Sequence, residues 1–156
     1  MEDLPEVLRV YEAARAFMRT SGNPDQWGET YPPLSLVEQD ILAGDSYLVL
    51  KEDRVVGTFV FFCRHEPDYE PLKSGAWLKN GEYGVIHRVA SDGTAKGVFS
   101  ALFEFARARI SDLRIDTHAD NRVMQAVLLG HGFIKRGVAV VRGGGERLAF
   151  EYNGKK

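Results

Sequence analysis

Apolar positions along the chain switch between a helical and an alternating spacing, and the switches mark the elements. Leu4, Val7, Leu8, Tyr11 and Met18 share one helical stripe. Asp3 followed by Glu6 makes a capping-box-like start, and Ser21-Gly22-Asn23-Pro24 ends the pattern. A loop through Trp27, Tyr31, Pro32 and Pro33 follows. Ser35 then caps a short helix carrying Leu36, Val37, Ile41 and Leu42, with Gly44 past its end. Tyr47 to Leu50 and Val55 to Cys63 flank a charged turn and read as a hairpin. The second of these strands is apolar on both faces, as an inner strand covered from two sides would be. Arg64 to Glu82 is polar, carries Pro67, Pro71, Gly75 and Gly81, and reads as a long functional loop. Tyr83 to Ala90 is a further strand.

Ser91 to Gly97 leads into a second clear helix, with Phe99, Leu102, Phe103, Ala106 and Ile110 on its apolar stripe. Leu113 to Thr117 is a short strand. Asp120 or Asn121 caps a third long helix with Val123, Met124, Val127 and Leu128, which stops at Gly130 to Gly132. Phe133 to Arg142 and Arg147 to Tyr152 flank Gly143-Gly144-Gly145-Glu146 and close the chain as a hairpin. This order predicts an α/β fold, a mixed sheet with helices on both faces.

Composition narrows the function classes. The 156 residues suit one domain, expected over 1–152 with a frayed tail at 153–156. Hydrophobic residues at 44% and charged residues at 27% argue against disorder. Twenty Lys and Arg against 22 Asp and Glu leave a net charge of -2, which removes the phosphate attraction that nucleic-acid binders use. Cys63 is the one cysteine, so no intrachain disulfide forms, and at a strand end it reads as a buried small hydrophobe. The acidic start is no signal peptide, and the apolar run from Val55 to Cys63 is too short to span a bilayer. A soluble cytoplasmic protein without nucleic-acid or membrane partners is the expectation.

The strongest chemical signal is the strand, glycine-bearing loop and helix from Val85 to Arg109. Such a unit offers backbone N–H groups and a positive helix end to phosphate, with Lys96 beside it. It is neither a Walker loop nor a dinucleotide fingerprint, because Gly93 and Gly97 have the wrong spacing. On its own it also reads as an ordinary turn before a helix.

The unit from Ile86-His87-Arg88-Val89-Ala90-Ser91 through Lys96-Gly97-Val98-Phe99-Ser100 to Glu104 resembles the acetyl-CoA motif of the GNAT superfamily of N-acetyltransferases. Arg114 to Asn121, with Met124-Gln125 and then Gly132-Phe133, resembles its second half, and the resemblance covers nearly the whole chain. It implies a mostly antiparallel mixed sheet whose central parallel pair splays apart. It implies acetyl-CoA as co-substrate, its pantetheine arm paired with the strand ending at Val89 and Ala90. The pyrophosphate would lie on Ala95, Lys96, Gly97, Val98, Phe99 and Ser100, and Asn121 would bond the pantetheine amides. A backbone N–H at Val89 would meet the oxyanion. The chain departs from the family at Thr94, where Arg or Gln is usual, and at Phe99, where a small residue is usual. It also opens on a helix without the family's first strand. Where many members carry a Tyr that protonates the thiolate, this chain has Leu128, and His131 lies three residues on.

Other residues keep two readings each. His87, mid-strand beside the implied splay, is either a polar group near the thioester or a satisfied core histidine. Asp116 and His118 alternate onto one face at a strand's carboxyl end, as a base pair, a metal pair or a cap interaction. With no third ligand at useful spacing, no metal site is expected. His65 and His131 read as peripheral or structural. Trp27, Tyr31 and Trp77 either line an acceptor pocket or anchor their loops, and Glu29, Glu70 and Glu82 either attract a cationic amine or are solvated. The expected pocket lies between the Trp27 to Tyr31 loop and the Arg64 to Glu82 loop. Two functions follow: acetyl transfer to a small-molecule or peptide amine, or a non-catalytic acyl-CoA-binding sensor or interaction module. A homodimer is compatible with either.

Overall fold

The computed structural model describes residues 1–141 and 144–154. Among these, the order is α1 (Leu4–Thr20), α2 (Leu34–Leu42), β1 (Ser46–Lys51), β2 (Arg54–Phe62), β3 (Ser74–Gly75), β4 (Gly84–Ser91), α3 (Val98–Arg107), β5 (Leu113–Thr117), α4 (Arg122–Gly130), β6 (Ile134–Val140) and β7 (Glu146–Tyr152). One seven-stranded sheet has the order β1-β2-β4-β5-β7-β6-β3. Only the β4–β5 pair is parallel; the others are antiparallel. No helix among the described residues is long and apolar enough to cross a membrane.

Strand alternation sorts the core into two layers. Tyr47, Phe59, Phe61, Ile86, Leu113, Ile115 and Phe150 face α3 and α4, meeting Leu102, Phe103, Ala106 and Leu128. On the other face, α1 and α2 bring Val7, Val10, Tyr11, Ala14 and Val37 against Leu48, Val55 and Ala90. The same face is continued by Tyr69, Leu72, Trp77 and Tyr83 from the long loop, packed on Val85, Ala139 and Ala149. Helices on both faces were expected, and so was the inner position of β2, whose residues 56–61 are all buried.

Several local expectations are corrected. Asp3 makes no side-chain cap, and α1 begins with Leu4-Pro5 in its first turn, where proline needs no amide partner. Leu8 is exposed, because Val10 and Ala14 carry the buried stripe instead. Pro33 precedes α2, so Ser35 lies inside the helix and caps nothing. Cys63 is exposed past the end of β2. The 64–82 segment holds a 3₁₀ turn at Pro67–Tyr69 and the short strand β3, which pairs Ser74 with Val138 and supplies the seventh strand. Gly75 (φ 79) and Gly137 meet there so closely that a Cβ at either would lie 2.0 Å from the facing carbonyl oxygen. Arg142 and Gly143 of the last hairpin, and residues 155–156 of the tail, lie outside the described residues; Asn153 bonds Asp112 and Arg136.

That long loop is bolted down by buried charge. Arg114 of β5 is 1% exposed, with its guanidinium 3.8 Å from the Tyr83 ring centroid and 4.3 Å from that of Trp77. It donates to the Lys79 carbonyl at 2.8 Å and to Glu70 at 3.3 Å. Glu151 of β7 accepts from the Leu78 amide at 2.8 Å and from Arg136 at 2.9 Å. Asp112 lies against Glu151, and burial followed by that neighbouring carboxylate pushes its carboxyl up to about 6. Burial opposes ionisation of Glu151 too, but the Leu78 amide and Arg136 hold it below the usual range, so the shared proton stays with Asp112. A raised carboxyl stabilises the fold fully below its ordinary value near ~3.9 and loses that contribution as pH rises through about 6. Asp112→Asn keeps the acceptor for Asn153 and supplies a permanent donor to Glu151. It should therefore flatten the pH 4–6 stability profile and raise stability at pH 7.5 by about 1–2 kcal/mol in urea titrations. An unchanged profile would refute the shared proton.

Candidate active site

The centre of the sheet opens at one point. β4 and β5 pair only at Gly84↔Leu113 and Val85↔Arg114, and beyond Val85 they part. Gly84 is needed where they meet, since a Cβ there would lie 2.8 Å from both Ile110 and Phe61. The rest of β4 therefore turns a row of backbone groups toward a gap instead of a neighbouring strand. On its other edge β4 pairs with β2, but the register jumps from Thr58↔Ala90 to Val60↔His87. Arg88 and Val89 thus stand opposite one residue as a bulge, with Arg88 in the left-handed region at φ 49. Its guanidinium grips Asp40 of α2 with two bonds, at 2.8 and 2.9 Å, and reaches the Tyr31 hydroxyl at 3.3 Å.

α3 starts beside the end of β4. Gly97 precedes it at φ 81, with open space where a Cβ would be. The first intrahelical bond runs from Ala101 to the Gly97 carbonyl, so the amides of Val98, Phe99 and Ser100 have no acceptor within the helix. Ala95 and Lys96 complete the turn, Lys96 exposed. Phe99 does not crowd this opening. Its ring turns inward onto Phe103, Phe133 and His131. Thr94 braces the loop through its amide and hydroxyl, which both donate to Asp92, at 2.9 and 2.6 Å, while Arg54 donates to its oxygen. Burial opposes the Asp92 charge, but Thr94 and Arg9 overcome it and hold the carboxyl below its ordinary range.

A cavity of about 460 Å³ lies in the opening. β4 supplies Ile86, His87, Arg88 and Val89, and β5 supplies Ile115, Asp116 and Thr117. Asn121 and Met124 line it from α4, Gln26, Trp27 and Tyr31 from the first loop, and Arg64 to Asp68 from the second. The second loop contributes only its opening residues. Trp77 packs on Tyr69 and Arg114 as an anchor, and Glu70 pairs with Arg114. His65, read from the sequence as peripheral, is part of the wall.

His87 Nε2 lies 3.3 Å from a Glu66 carboxylate oxygen, and its ring packs on Phe62 and Tyr69. Asp116 faces the cavity and accepts from the buried Tyr69 hydroxyl at 2.7 Å. Burial, then Asp116, pushes that hydroxyl well above its ordinary pKa, so it remains a donor. His118 is not brought to Asp116. Its Nδ1 accepts from the Asp120 amide at 3.0 Å, the cap interaction among its three readings. Asn121 rather than Asp120 caps α4, its Oδ1 accepting from Met124 at 2.9 Å. His131 lies outside the cavity lining. Its Nδ1 donates to the Val127 carbonyl at 2.8 Å, and its Nε2 lies 2.9 Å from the Ser100 hydroxyl. Leu128 is fully buried.

Arg88, Asp40, Gln26, Glu66 and Tyr69 are site residues that sequence reasoning missed. The signal for Tyr69 and Glu66 was faint, an aromatic and an acid flanking Pro67-Asp68. None marked Asp40, which lies on a helix far from β4 in the chain.

A bulged strand beside an unpaired neighbour, with a helix N-terminus at its end, is the arrangement that the sequence resemblance implied. The particular fold is that of the GNAT acetyltransferases. Family models and curated proteins give no match to the chain. Among solved structures, it is similar to a GNAT-family acetyltransferase from Streptococcus agalactiae 2603 (TM-score 0.87, 26% identity, 99% of this chain and 92% of that one). A Staphylococcus aureus Mu50 structure provisionally assigned as an acetyltransferase aligns at TM-score 0.70 and 25% identity, over 99% and 95% of the chains. A ribosomal-protein-alanine N-acetyltransferase from Brucella melitensis shares the fold at TM-score 0.58 and 20% identity, over 97% and 94%. This fold supports acyl transfer in general.

The Arg88–Asp40 pair, each side chain about a tenth exposed, ties the bulge to α2. Removing either partner alone leaves a largely buried charge, a loss of roughly 3 kcal/mol or more. Arg88→Ala, Asp40→Ala and the double variant, compared by urea denaturation, should show a coupling of about 2 kcal/mol. Additive losses would mean that the two groups do not act together.

Proposed function

We propose that this protein transfers an acetyl group from acetyl-CoA to a primary amine by direct attack in a ternary complex. The observation that carries this reading is the parting of β4 and β5 beyond Val85 with the bulge at Arg88–Val89 inside it. The residues present fit the co-substrate. The free edge of β4 suits an extended amide-bearing arm, which can pair as an added strand would. The unbonded amides at the start of α3, with Ala95 to Gly97, suit a pyrophosphate. Acetyl-CoA would supply a thioester, an activated carbonyl with a good leaving group.

The chain's own groups divide the remaining work. A protonated amine, with a pKa near ~10.4, has no free electron pair until a base removes its proton. His87 suits the role of that base, because Nε2 faces Glu66 and Nδ1 has no hydrogen-bond partner among the described residues. Glu66 is then the positioning residue that fixes the ring. The Val89 amide, taken out of the regular ladder by the bulge, suits the developing oxyanion. As the amine nitrogen bonds the carbonyl carbon, the carbon–sulfur bond breaks and the thiolate takes a proton. Leu128 cannot give it and His131 is held by Val127 and Ser100, so water delivers it. The acceptor enters between the Trp27–Tyr31 and Arg64–Asp68 walls, and the reading includes a cytoplasmic location.

Buried Leu128 also favours the second reading, an acyl-CoA-binding module without turnover. Acetyl-CoA should raise the melting temperature by mass action, and Gly97→Asp should weaken its binding by facing a carboxylate to the pyrophosphate. No thermal shift and no calorimetric heat at saturation would remove acetyl-CoA from the account. Against a panel of amines, His87→Gln should lower kcat by about 10²-fold or more with acetyl-CoA affinity unchanged, while His131→Ala should leave kcat largely intact. Binding without turnover across the panel would establish the module instead.

A further inference from the structure

Gln26 lies in the connection between α1 and α2, and its carboxamide reaches across the opening to the far side of the sheet. Its side-chain oxygen accepts from Asn121 Nδ2 at 3.0 Å, from Asn23 Nδ2 at 2.9 Å and, more weakly, from the Thr117 hydroxyl at 3.5 Å. Its main-chain carbonyl accepts from Arg147 of β7 at 3.1 Å. The orientation of the amide follows from chemistry. Asn121 Oδ1 is committed to the Met124 amide, so the other end of that side chain must be the nitrogen. The Gln26 atom facing it can then only be the acceptor oxygen. Gln26 Nε2 is left with two N–H donors and no hydrogen-bond partner among the described residues, in a side chain that lines the cavity.

We propose that Gln26 is a substrate-binding residue whose Nε2 donates a hydrogen bond to an amide carbonyl of the pantetheine arm. Asn121 spends one of its two side-chain N–H groups on the Gln26 oxygen, so Gln26 Nε2 adds donors beside it. The inference rests on the acetyl-CoA reading above. An unpaired carboxamide donor in a polar cavity calls for an oxygen acceptor, and an arm lying along β4 presents amide carbonyls beside the Asn121–Gln26 pair. Gln26 also fixes the first loop across the opening, so one residue contacts the donor and closes the acceptor side.

Gln26→Glu keeps an oxygen for Asn121 and Asn23 but has no N–H to donate. Gln26→Met, of similar length and uncharged, serves as the second variant if the carboxylate disturbs the loop. Calorimetry with acetyl-CoA should show a Kd raised about tenfold for either variant, the scale of one lost neutral hydrogen bond. Binding of adenosine 3′,5′-bisphosphate, which lacks the arm, should be unchanged. Wild-type acetyl-CoA affinity in both variants would overturn the proposal. So would an unchanged acetyl-CoA Kd with a raised KM for the amine, which would assign the contact to the acceptor. Equal weakening of the bisphosphate and acetyl-CoA would reduce Gln26 to a structural tie. Failure of the wild-type protein to bind acetyl-CoA at all would overturn the co-substrate reading itself, and this inference with it.

Discussion

Everything at the site depends on two strands that stop pairing. A parallel neighbour normally satisfies every backbone group along a strand, and buried groups left without partners are costly. β4 and β5 share only two register positions before they separate. The sheet tolerates this because each strand is fixed on its other edge, β4 by β2 and β5 by five consecutive pairs with β7. Ile86 and Ile115, on either side of the gap, still enter the same apolar cluster with α3 and α4. The layer beneath thus stays packed while the hydrogen-bond ladder is open, and the opening is a cavity lined by polar groups, not a fault in the core.

The opposite face explains how the cavity acquires walls. There α1 and α2 cover one end, and the 64–82 segment covers the other. A loop of that length is held down only if its own polar groups are satisfied. Arg114 and Glu151 do this from inside the sheet, bonding the loop at Lys79 and Leu78. The Tyr69–Asp116 bond does it nearer the cavity. Glu66 and His87 therefore meet on a braced segment, which lets a loop residue hold the histidine ring in one orientation.

The fold was legible in the sequence because apolar spacing and glycine position are local signals. Phe99, Leu102, Phe103 and Ala106 repeat at the helical period, and all four are buried in α3. Phe99 also shows how a family departure dissolves into that same stripe. Gly97 and Asn121 were readable because a left-handed residue before a helix, and an amide at its cap, have local causes. Asp3, Ser35 and Asp120 share the cap chemistry of Asn121, but Pro5, Pro33 and the Asn121 cap itself fixed the helix starts without them. The missed residues act across long sequence separations. Arg88 with Asp40, and Gln26 with Asn121, are pairs that no periodicity links. Cys63 failed for another reason: β2 ends one residue early, and the apolar run outlasts the pairing.

Arg88 shows why such pairs matter more than their count. A glycine would take φ 49 at less conformational cost, so a residue with a Cβ there implies that its side chain has a structural role. That role is to join the bulge of β4 to α2 and to Tyr31, making the strand, the helix and the first loop one mechanical unit. The start of α3 has separate ties, running from Arg54 through Thr94 to Asp92 and Arg9. The two networks share no residue, although their elements are neighbours on β4. The first loop and α2 are thus tied to the bulge, while the loop leading into α3 is held by its own bonds. Gln26 is a third tie, outside both networks, that carries the first loop to the cap of α4.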